Sequence, residues 1–327
     1  MLVPVRDEAR YLAEALASLA AQTLADIEVI VVDDGSVDGS AEIAEAHAGA
    51  DRRFRVVRQT RRGLVPALER GRAEARGRYL ARMDGDDVAL PERLEVQVVA
   101  IESERLAACG GGVEYLDAAT VTDGAGRYAS WLNSLVTVET AARDVFVECP
   151  IVHPTLVARR ESIAAVGGYR DPGWPEDYDL VLRLWAASAR FRNVDRVVLR
   201  WRDEPDRLSR TGAAYTLDAF VRCKVHHLRR TLLAGRDAIV WGAGPVGKSF
   251  ARELIRQGTA VCAFVDVDPR KIGHSVYGAR VVPVEEAPRF GDAFALGAVA
   301  GEAARARIRR LVAEQGRQEG RDFVAVA

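Results

Sequence analysis

The chain has 327 residues, 49% of them hydrophobic and 28% charged, and carries a formal net charge of -1. Such a length suggests two domains with sizeable cores, and the near-neutral balance argues against a general nucleic-acid binder, which needs a basic excess on some face. No apolar run approaches the ~18 residues of a membrane span, Met1-Leu2-Val3-Pro4-Val5-Arg6 lacks a signal-peptide pattern, and Cys109, Cys149, Cys223 and Cys262 have no paired spacing.

The cysteines read as reduced core residues of a cytoplasmic protein, with neither a zinc site nor a disulfide framework. Peripheral contact with a membrane surface stays open. Leu2 to Val5 is strand-like, and Pro4 suits the end of a strand at a ligand edge better than its middle. The chain starts almost inside this strand, so the natural start is expected a few residues upstream. From Asp7 to Ala21 the apolar residues Tyr11-Leu12, Ala15-Leu16 and Leu19 keep the spacing of an amphipathic helix. Glu28 to Val32 is a continuous apolar strand of the kind buried on both faces, and it ends in Asp33-Asp34-Gly35-Ser36. A helix from Ser40 to Ala48, a strand at Arg55 to Val57 and a helix from Val65 to Ala75 follow. Between them Arg52 to Arg62 holds six arginines, suited to a solvated face or to a phosphate-bearing ligand. The strand Arg78 to Met83 then runs into Asp84-Gly85-Asp86-Asp87. This alternation implies a doubly wound α/β sheet, with two acidic strand ends at its ligand edge. Carboxylates so close together repel unless a hard divalent cation neutralises them; an Asp-rich turn capping the helix that Pro91-Glu92-Arg93-Leu94 begins is the other reading.

The runs Pro4-Val5-Arg6-Asp7-Glu8, Ser18-Leu19, Gln22-Thr23 and Val31-Val32-Asp33-Asp34-Gly35-Ser36 resemble the start of family 2 glycosyltransferases with the GT-A fold. Arg62-Gly63-Leu64, Ala81 to Asp87, Leu90 to Leu94, His153-Pro154-Thr155, Val166-Gly167-Gly168-Tyr169 and Glu176 to Leu180 with Leu182-Arg183-Leu184 continue the resemblance over roughly residues 1–210. It implies a GT-A-type mixed sheet, a nucleotide-diphosphate sugar donor and a Mn²⁺ or Mg²⁺ ion on the acidic stretch, which matches the family's DxD motif. Asp86 is then the main metal ligand, with Asp84 shared between metal and ribose. Asp34 would accept hydrogen bonds from the nucleoside, Pro4, Val5 and Arg6 would border the base, and Arg62 would lie on the nucleotide side. The family usually has Asn where Asp7 stands and an Asn near Glu69, which puts nucleotide-side contacts there in doubt.

Sugar transfer also needs a base near the acceptor hydroxyl. The family match makes Asp177 that base, with Glu176 supporting it or touching the acceptor; both also suit a helix start favoured by the dipole. His153 suits a hydrogen-bonded core position or contact with donor or acceptor. Arg200-Trp201-Arg202 and Arg207 to Arg210, after a short strand Arg196 to Leu199, suit either a loop over the diphosphate or an exposed basic linker.

After a single helical stretch from Ala213 to Leu233 the pattern restarts. The strand Asp237 to Trp241 leads into Gly242-x-Gly244-x-x-Gly247 and a helix, and Asp266 closes the next strand ~20 residues on, the dinucleotide fingerprint. Residues 236–327 suffice for one mononucleotide-binding half, with further strands near Ala293 to Val299 and Asp322 to Ala325. NAD is compatible with Gly242, Gly244, Gly247 and Asp266 but not favoured, because no substrate domain is left over. The expected organisation is a glycosyltransferase domain at 1–212, a helical linker at 213–235 and a small Rossmann-like α/β domain at 236–327. The favoured reading is an inverting, metal-dependent transferase moving a sugar to a saccharide or lipid-linked acceptor in polysaccharide or glycoconjugate synthesis. An NAD-dependent sugar oxidoreductase and a non-catalytic sugar-nucleotide sensor are the rivals.

Overall fold

Val29-Ile30-Val31-Val32 is buried throughout and forms the middle of a parallel sheet. The computed structural model describes residues 1–117, 121–204 and 207–327. It divides into two compact units, one of residues 1–142, 150–172 and 176–207, the other of residues 143–149, 173–175 and 208–327.

In the first unit the elements run β1 (Leu2–Val5), α1 (Ala9–Ala20), β2 (Val29–Asp33), α2 (Ser40–Ala50), β3 (Phe54–Arg58), α3 (Leu64–Glu74), β4 (Tyr79–Ala81), β5 (Val88–Ala89), α4 (Arg93–Ser103), β6 (Ala108–Tyr115), α5 (Asp123–Asn133), α6 (Val138–Arg143), β7 (Val157–Arg159), α7 (Arg160–Ala165), α8 (Glu176–Ala186) and β8 (Phe191–Trp201). Strands β1, β2 and β3 pair in parallel, and β4-β7-β6-β8-β5 form a mixed sheet beside them. A parallel bridge from Leu2 to Arg82 joins the two. The chain therefore lays β2 and β3 on one side of β1 and continues on the other side beyond Arg82. Where strand order reverses like this, the carboxyl ends of the strands open a crevice for ligands. Both acidic strand ends, after β2 and after β4, belong to that edge.

Strand β8 is longer than the four residues expected and takes in Arg200 and Trp201, so these two are not a loop. Its early residues are charged, and their partners are remote in sequence: Arg192 pairs with Glu104. Strand β6 lies alongside β8 so closely that it needs three glycines. A Cβ at Gly110 would come within 2.1 Å of Asn193 Oδ1, and one at Gly111 within 2.4 Å of Val198 Cγ2.

The second unit continues with α9 (Leu208–Thr211), α10 (Leu217–Arg230), β9 (Ala238–Trp241), α11 (Pro245–Arg256), β10 (Val261–Val265), β11 (Ser275–Val276), β12 (Ala279–Val282), β13 (Phe294–Gly297), α12 (Glu302–Glu314) and β14 (Phe323–Ala325). The helical stretch expected from Ala213 to Leu233 is interrupted, because Thr216 leaves helical geometry and its Oγ1 accepts from Ala219 N at 3.3 Å as the cap of α10. Six strands in the order β11-β12-β10-β9-β13-β14 form a sheet that is parallel except for β11. Residues 143–149 are tied into this unit by charge: Arg309 pairs with Asp144 at 2.5 Å, and buried Lys224 donates to Val147 O at 2.7 Å and Val326 O at 3.2 Å.

Gly111→Val overfills the β6–β8 contact, and urea unfolding should show a loss of about 1–3 kcal/mol. An unchanged midpoint would mean that β6 and β8 are not packed this closely.

Candidate functional site

Three carboxylates after β4 carry the site. Asp84, Asp86 and Asp87 each offer an oxygen within 4.8 Å of the others'. Asp87 is fully buried, accepts from Arg202 N at 3.0 Å through Oδ1, and leaves Oδ2 buried without a hydrogen bond. Burial, then the charges of Asp84 and Asp86, push its carboxyl well above the ordinary range. Burial and Asp84 raise Asp86 to about 6. Asp84 goes the other way: burial pushes it up, but Arg82 at 2.5 Å outweighs that and holds it ionised. The repulsion among the three is what a divalent cation relieves, and an all-oxygen set with a spare buried oxygen fits a hard one.

The charge beneath is basic. Arg82 is buried, and among the described residues its Nε and Nη1 have no hydrogen-bond partner and Asp84 is its ion pair. Arg93, from the first turn of α4, is fully buried and donates through Nη2 to Arg82 O at 2.6 Å. Burial lowers its guanidinium to about 9, against the attraction of Asp87. One turn on, Gln97 donates to Thr155 O at 2.7 Å and Cys109 O at 3.2 Å. Helix α4 thus fixes both the backbone leading to the aspartates and the turn that carries His153.

His153 is buried in that turn. Its Nδ1 lies 3.4 Å from Glu176 Oε1 and its Nε2 3.1 Å from Tyr169 OH. Burial and then Arg82 hold the imidazole below its usual value, with Glu176 opposing them. Glu176 is buried at the start of α8, and half-buried Asp177 follows it. Arg82 feels both Asp84 and Glu176, and Asp84 feels His153, so the acidic start of α8 and the end of β4 share one electrostatic environment. Asp177 enters it through Tyr169, whose hydroxyl its charge reaches.

Pro4 and Val5 end β1, and Val5 O accepts from Asp34 N at 2.9 Å. Asp34 is buried, and its carboxylate accepts from Gln59 Nε2 and Arg62 N at 2.7 Å and from Gly63 N at 2.8 Å. Three of its roughly four acceptor positions are therefore filled by the chain itself. Arg6 reaches Asp34 O at 3.4 Å and pairs with Asp7. Asp7 has φ 53, in the left-handed region that Asn and Asp tolerate best, which explains why either residue serves there. Its Oδ1 accepts from Val37 N, lacing the loop after β1 to the loop after β2. Glu69 binds Tyr169 N at 2.7 Å and pairs with Arg72. In the arginine run, Arg53 pairs with Asp51, Arg55 with Glu74 and Arg58 with Glu45. Among the described residues Arg52, Arg61 and Arg62 make no ion pair, and Arg61 and Arg62 are exposed beside the Asp34 strap.

The basic segment after β8 is engaged rather than loose. Arg202 stacks on Tyr11 at 3.8 Å, pairs with Glu14 and donates to Asp86 O at 2.8 Å. Arg207 lies over Trp201 at 4.5 Å and acts electrostatically on all three aspartates. Arg82 and Tyr169 are placed at the site although sequence reasoning assigned neither of them a part there; the visible signal for Arg82 was a charge inside an apolar strand.

In the second unit the fingerprint is built for close packing. Gly242 has φ +108, and a Cβ there would sit 2.4 Å from Val299; one at Gly247 would sit 1.8 Å from Gly242 O. Gly244 faces open space at the start of α11. Asp266 Oδ2 accepts from Ala243 N at 2.8 Å and Lys271 Nζ at 3.0 Å, and Oδ1 accepts from Asp268 N at 2.9 Å.

Residues 1–167 match the family model described as Glycosyl transferase family 2. The "Putative glycosyltransferase EpsE" of Bacillus subtilis (strain 168) is 31% identical over 247 residues, 74% of this chain and 85% of that protein. The amylovoran biosynthesis glycosyltransferase AmsE of Erwinia amylovora is 28% identical over 207 residues, 63% of this chain and 75% of its own length. The chain superposes on S. aureus TarS 1-349 in complex with UDP-GlcNAc with a TM-score of 0.57 at 17% identity, over 78% of this chain and 71% of that one. The mannosyltransferase PcManGT from Pyrobaculum calidifontis, in complex with GDP-Man and Mn2+, gives 0.51 at 18% identity, over 79% and 64%. At these identities the two structures speak for the fold.

With Asp266 held by Ala243 and Lys271, millimolar NAD is expected to leave the melting temperature unchanged, as read by differential scanning fluorimetry. Gly247→Ala should lower the melting temperature while Gly244→Ala should not; the reverse order would mean that the loop is built around a ligand.

Proposed function

The chain belongs to glycosyl transferase family 2, and we propose that it moves a sugar from a nucleotide-diphosphate donor to a hydroxyl of a saccharide or lipid-linked acceptor, with inversion and with a divalent ion, in polysaccharide assembly. The observation that carries this reading is the union of the Asp84–Asp86–Asp87 cluster with the His153–Glu176 pair in one electrostatic environment at the crevice edge of the sheet. The neighbours' UDP-GlcNAc, GDP-Man and Mn2+ support a donor of this class and a metal of this kind.

Asp86 and Asp84 would hold the ion, with the buried free oxygen of Asp87 as a third donor. When bound, such an ion stabilises the charge on the departing diphosphate. The chain's own residues do the rest. Asp177 takes the proton as the acceptor oxygen attacks the anomeric carbon and the bond to the diphosphate breaks, its electron pair leaving with the phosphate oxygen. Arg207, already acting on the aspartates, adds positive charge on the leaving-group side. Arg61 and Arg62, exposed beside the Asp34 strap, are available to the nucleotide. Buried Glu176, paired with His153, orients the start of α8 rather than meeting the acceptor.

Calorimetry should find uridine diphosphate or guanosine diphosphate bound more tightly with Mn²⁺ or Mg²⁺ than with chelator, and Asp86→Ala should abolish that difference. Equal affinity in chelator would contradict the metal site. Asp177→Asn keeps size and most hydrogen bonding but cannot take the proton, so transfer should fall ~10²-fold or more while the donor still binds. Transfer at the wild-type rate would remove Asp177 from the mechanism.

A further inference from the structure

We propose that Tyr169 is a positioning residue for the transfer, fixing His153 in one tautomer and through it the acidic start of α8; this rests on the transferase reading above. The reasoning begins with the two nitrogens of His153. One faces a carboxylate, Glu176 Oε1 at 3.4 Å, and the other a phenol, Tyr169 OH at 3.1 Å. A carboxylate can only accept, so Nδ1 carries the proton, Nε2 accepts and Tyr169 donates. All three side chains are buried, at 6%, 4% and 5% exposure for His153, Glu176 and Tyr169, so no bulk water stands in for a lost partner.

Tyr169 itself has little freedom. Its N–H is bound by Glu69 Oε1 at 2.7 Å, and Glu69 is clamped by Arg72 at 2.7 to 3.0 Å. The preceding Gly168 has φ +66, and a Cβ on it would strike the same carboxylate at 2.6 Å. From the other side Arg183 of α8 donates to Val166 O at 2.6 Å and pairs with Asp179 at 2.7 Å, bracing the helix against the turn that carries Tyr169. Burial, with Glu176, Asp177 and Glu69 behind it, keeps the phenol protonated against the pull of Arg82, so it remains a donor. The relay runs Glu69, Tyr169, His153, Glu176, and its last member precedes Asp177. Losing the donor frees the imidazole to rotate or change tautomer, and a misplacement of about 1 Å at a catalytic group costs up to ~10²-fold in rate.

Tyr169→Phe removes the hydroxyl alone and preserves ring volume. Protein carrying ¹⁵N-labelled histidine gives long-range ¹H–¹⁵N correlations for its five histidines. His153 should appear as the neutral Nδ1–H tautomer, and its Nε2 resonance should move in Tyr169→Phe. With UDP-N-acetylglucosamine and GDP-mannose as probe donors, the same variant should lose about tenfold in kcat, with KM for the donor within about twofold and a melting temperature lowered by no more than a few degrees, the cost of one unsatisfied buried acceptor. Glu69→Gln keeps an acceptor for the Tyr169 N–H and should retain the wild-type His153 spectrum, whereas Glu69→Ala should not. If the wild type turns over neither donor, the choice of donor in the transferase reading is what fails, and the histidine spectra decide the relay alone. An unchanged His153 spectrum in Tyr169→Phe, or an unchanged kcat beside an active wild type, overturns the proposal.

Discussion

Two buried arginines under three crowded carboxylates are the constraint on which the N-terminal unit depends. Arg82 and Arg93 are both buried; removing Arg82 breaks its buried pair with Asp84, a loss of several kcal/mol, and removing Arg93 takes away the positive charge that acts on Asp87. The arrangement does not cancel. Arg82 is committed to Asp84, while Asp86 and Asp87 are both raised and Asp87 keeps an unbonded oxygen. Residual negative charge at the mouth of a sheet crevice suits a cation, and it arises at the switch in strand order.

The same arginines explain why the rest of the site holds together. Arg93 and Gln97, one turn apart on α4, grip the carbonyls of Arg82 and Thr155, so one helix sets the spacing between the aspartates and the His153 turn. Helix α8 then meets that turn through Glu176 and is braced by Arg183. Loops after β1 and β2 are laced by Asp7, Ser36, Asp38 and Ser40, which holds these two loops of the crevice edge in register.

Much of this was legible in the sequence wherever physics is local. Glu28 to Val32 and Arg78 to Met83 announced strands through the apolar runs Val29-Ile30-Val31-Val32 and Tyr79-Leu80-Ala81, and both acidic ends followed directly. The start of α8 at Glu176 was legible from Gly173-Trp174-Pro175 before it. Hidden features depend on remote partners. Strand β8 begins with Phe191-Arg192-Asn193, which reads as surface until Glu104 and the β6 glycines are beside it. Arg93 reads as the polar face of an amphipathic helix, and only the backbone of Arg82 makes it interior. The arginine run reads as a basic patch, yet Asp51, Glu74 and Glu45 absorb half of it. The glycine fingerprint at Gly242 to Gly247 was legible as a turn, whereas its dominant demands, the contacts of Gly242 with Val299 and of Gly247 with Gly242 O, are steric facts of the folded unit.

The central claim is that the Asp84–Asp86–Asp87 cluster holds the ion that stabilises a nucleotide-diphosphate leaving group. Crystals grown with MnCl₂ and UDP, with data collected at the manganese absorption edge, test it directly. The account predicts an anomalous peak bonded to carboxylate oxygens of Asp86 and Asp84, in contact with the diphosphate. A nucleotide seated on the Gly242–Gly247 loop, with no anomalous density at the aspartates, would contradict it.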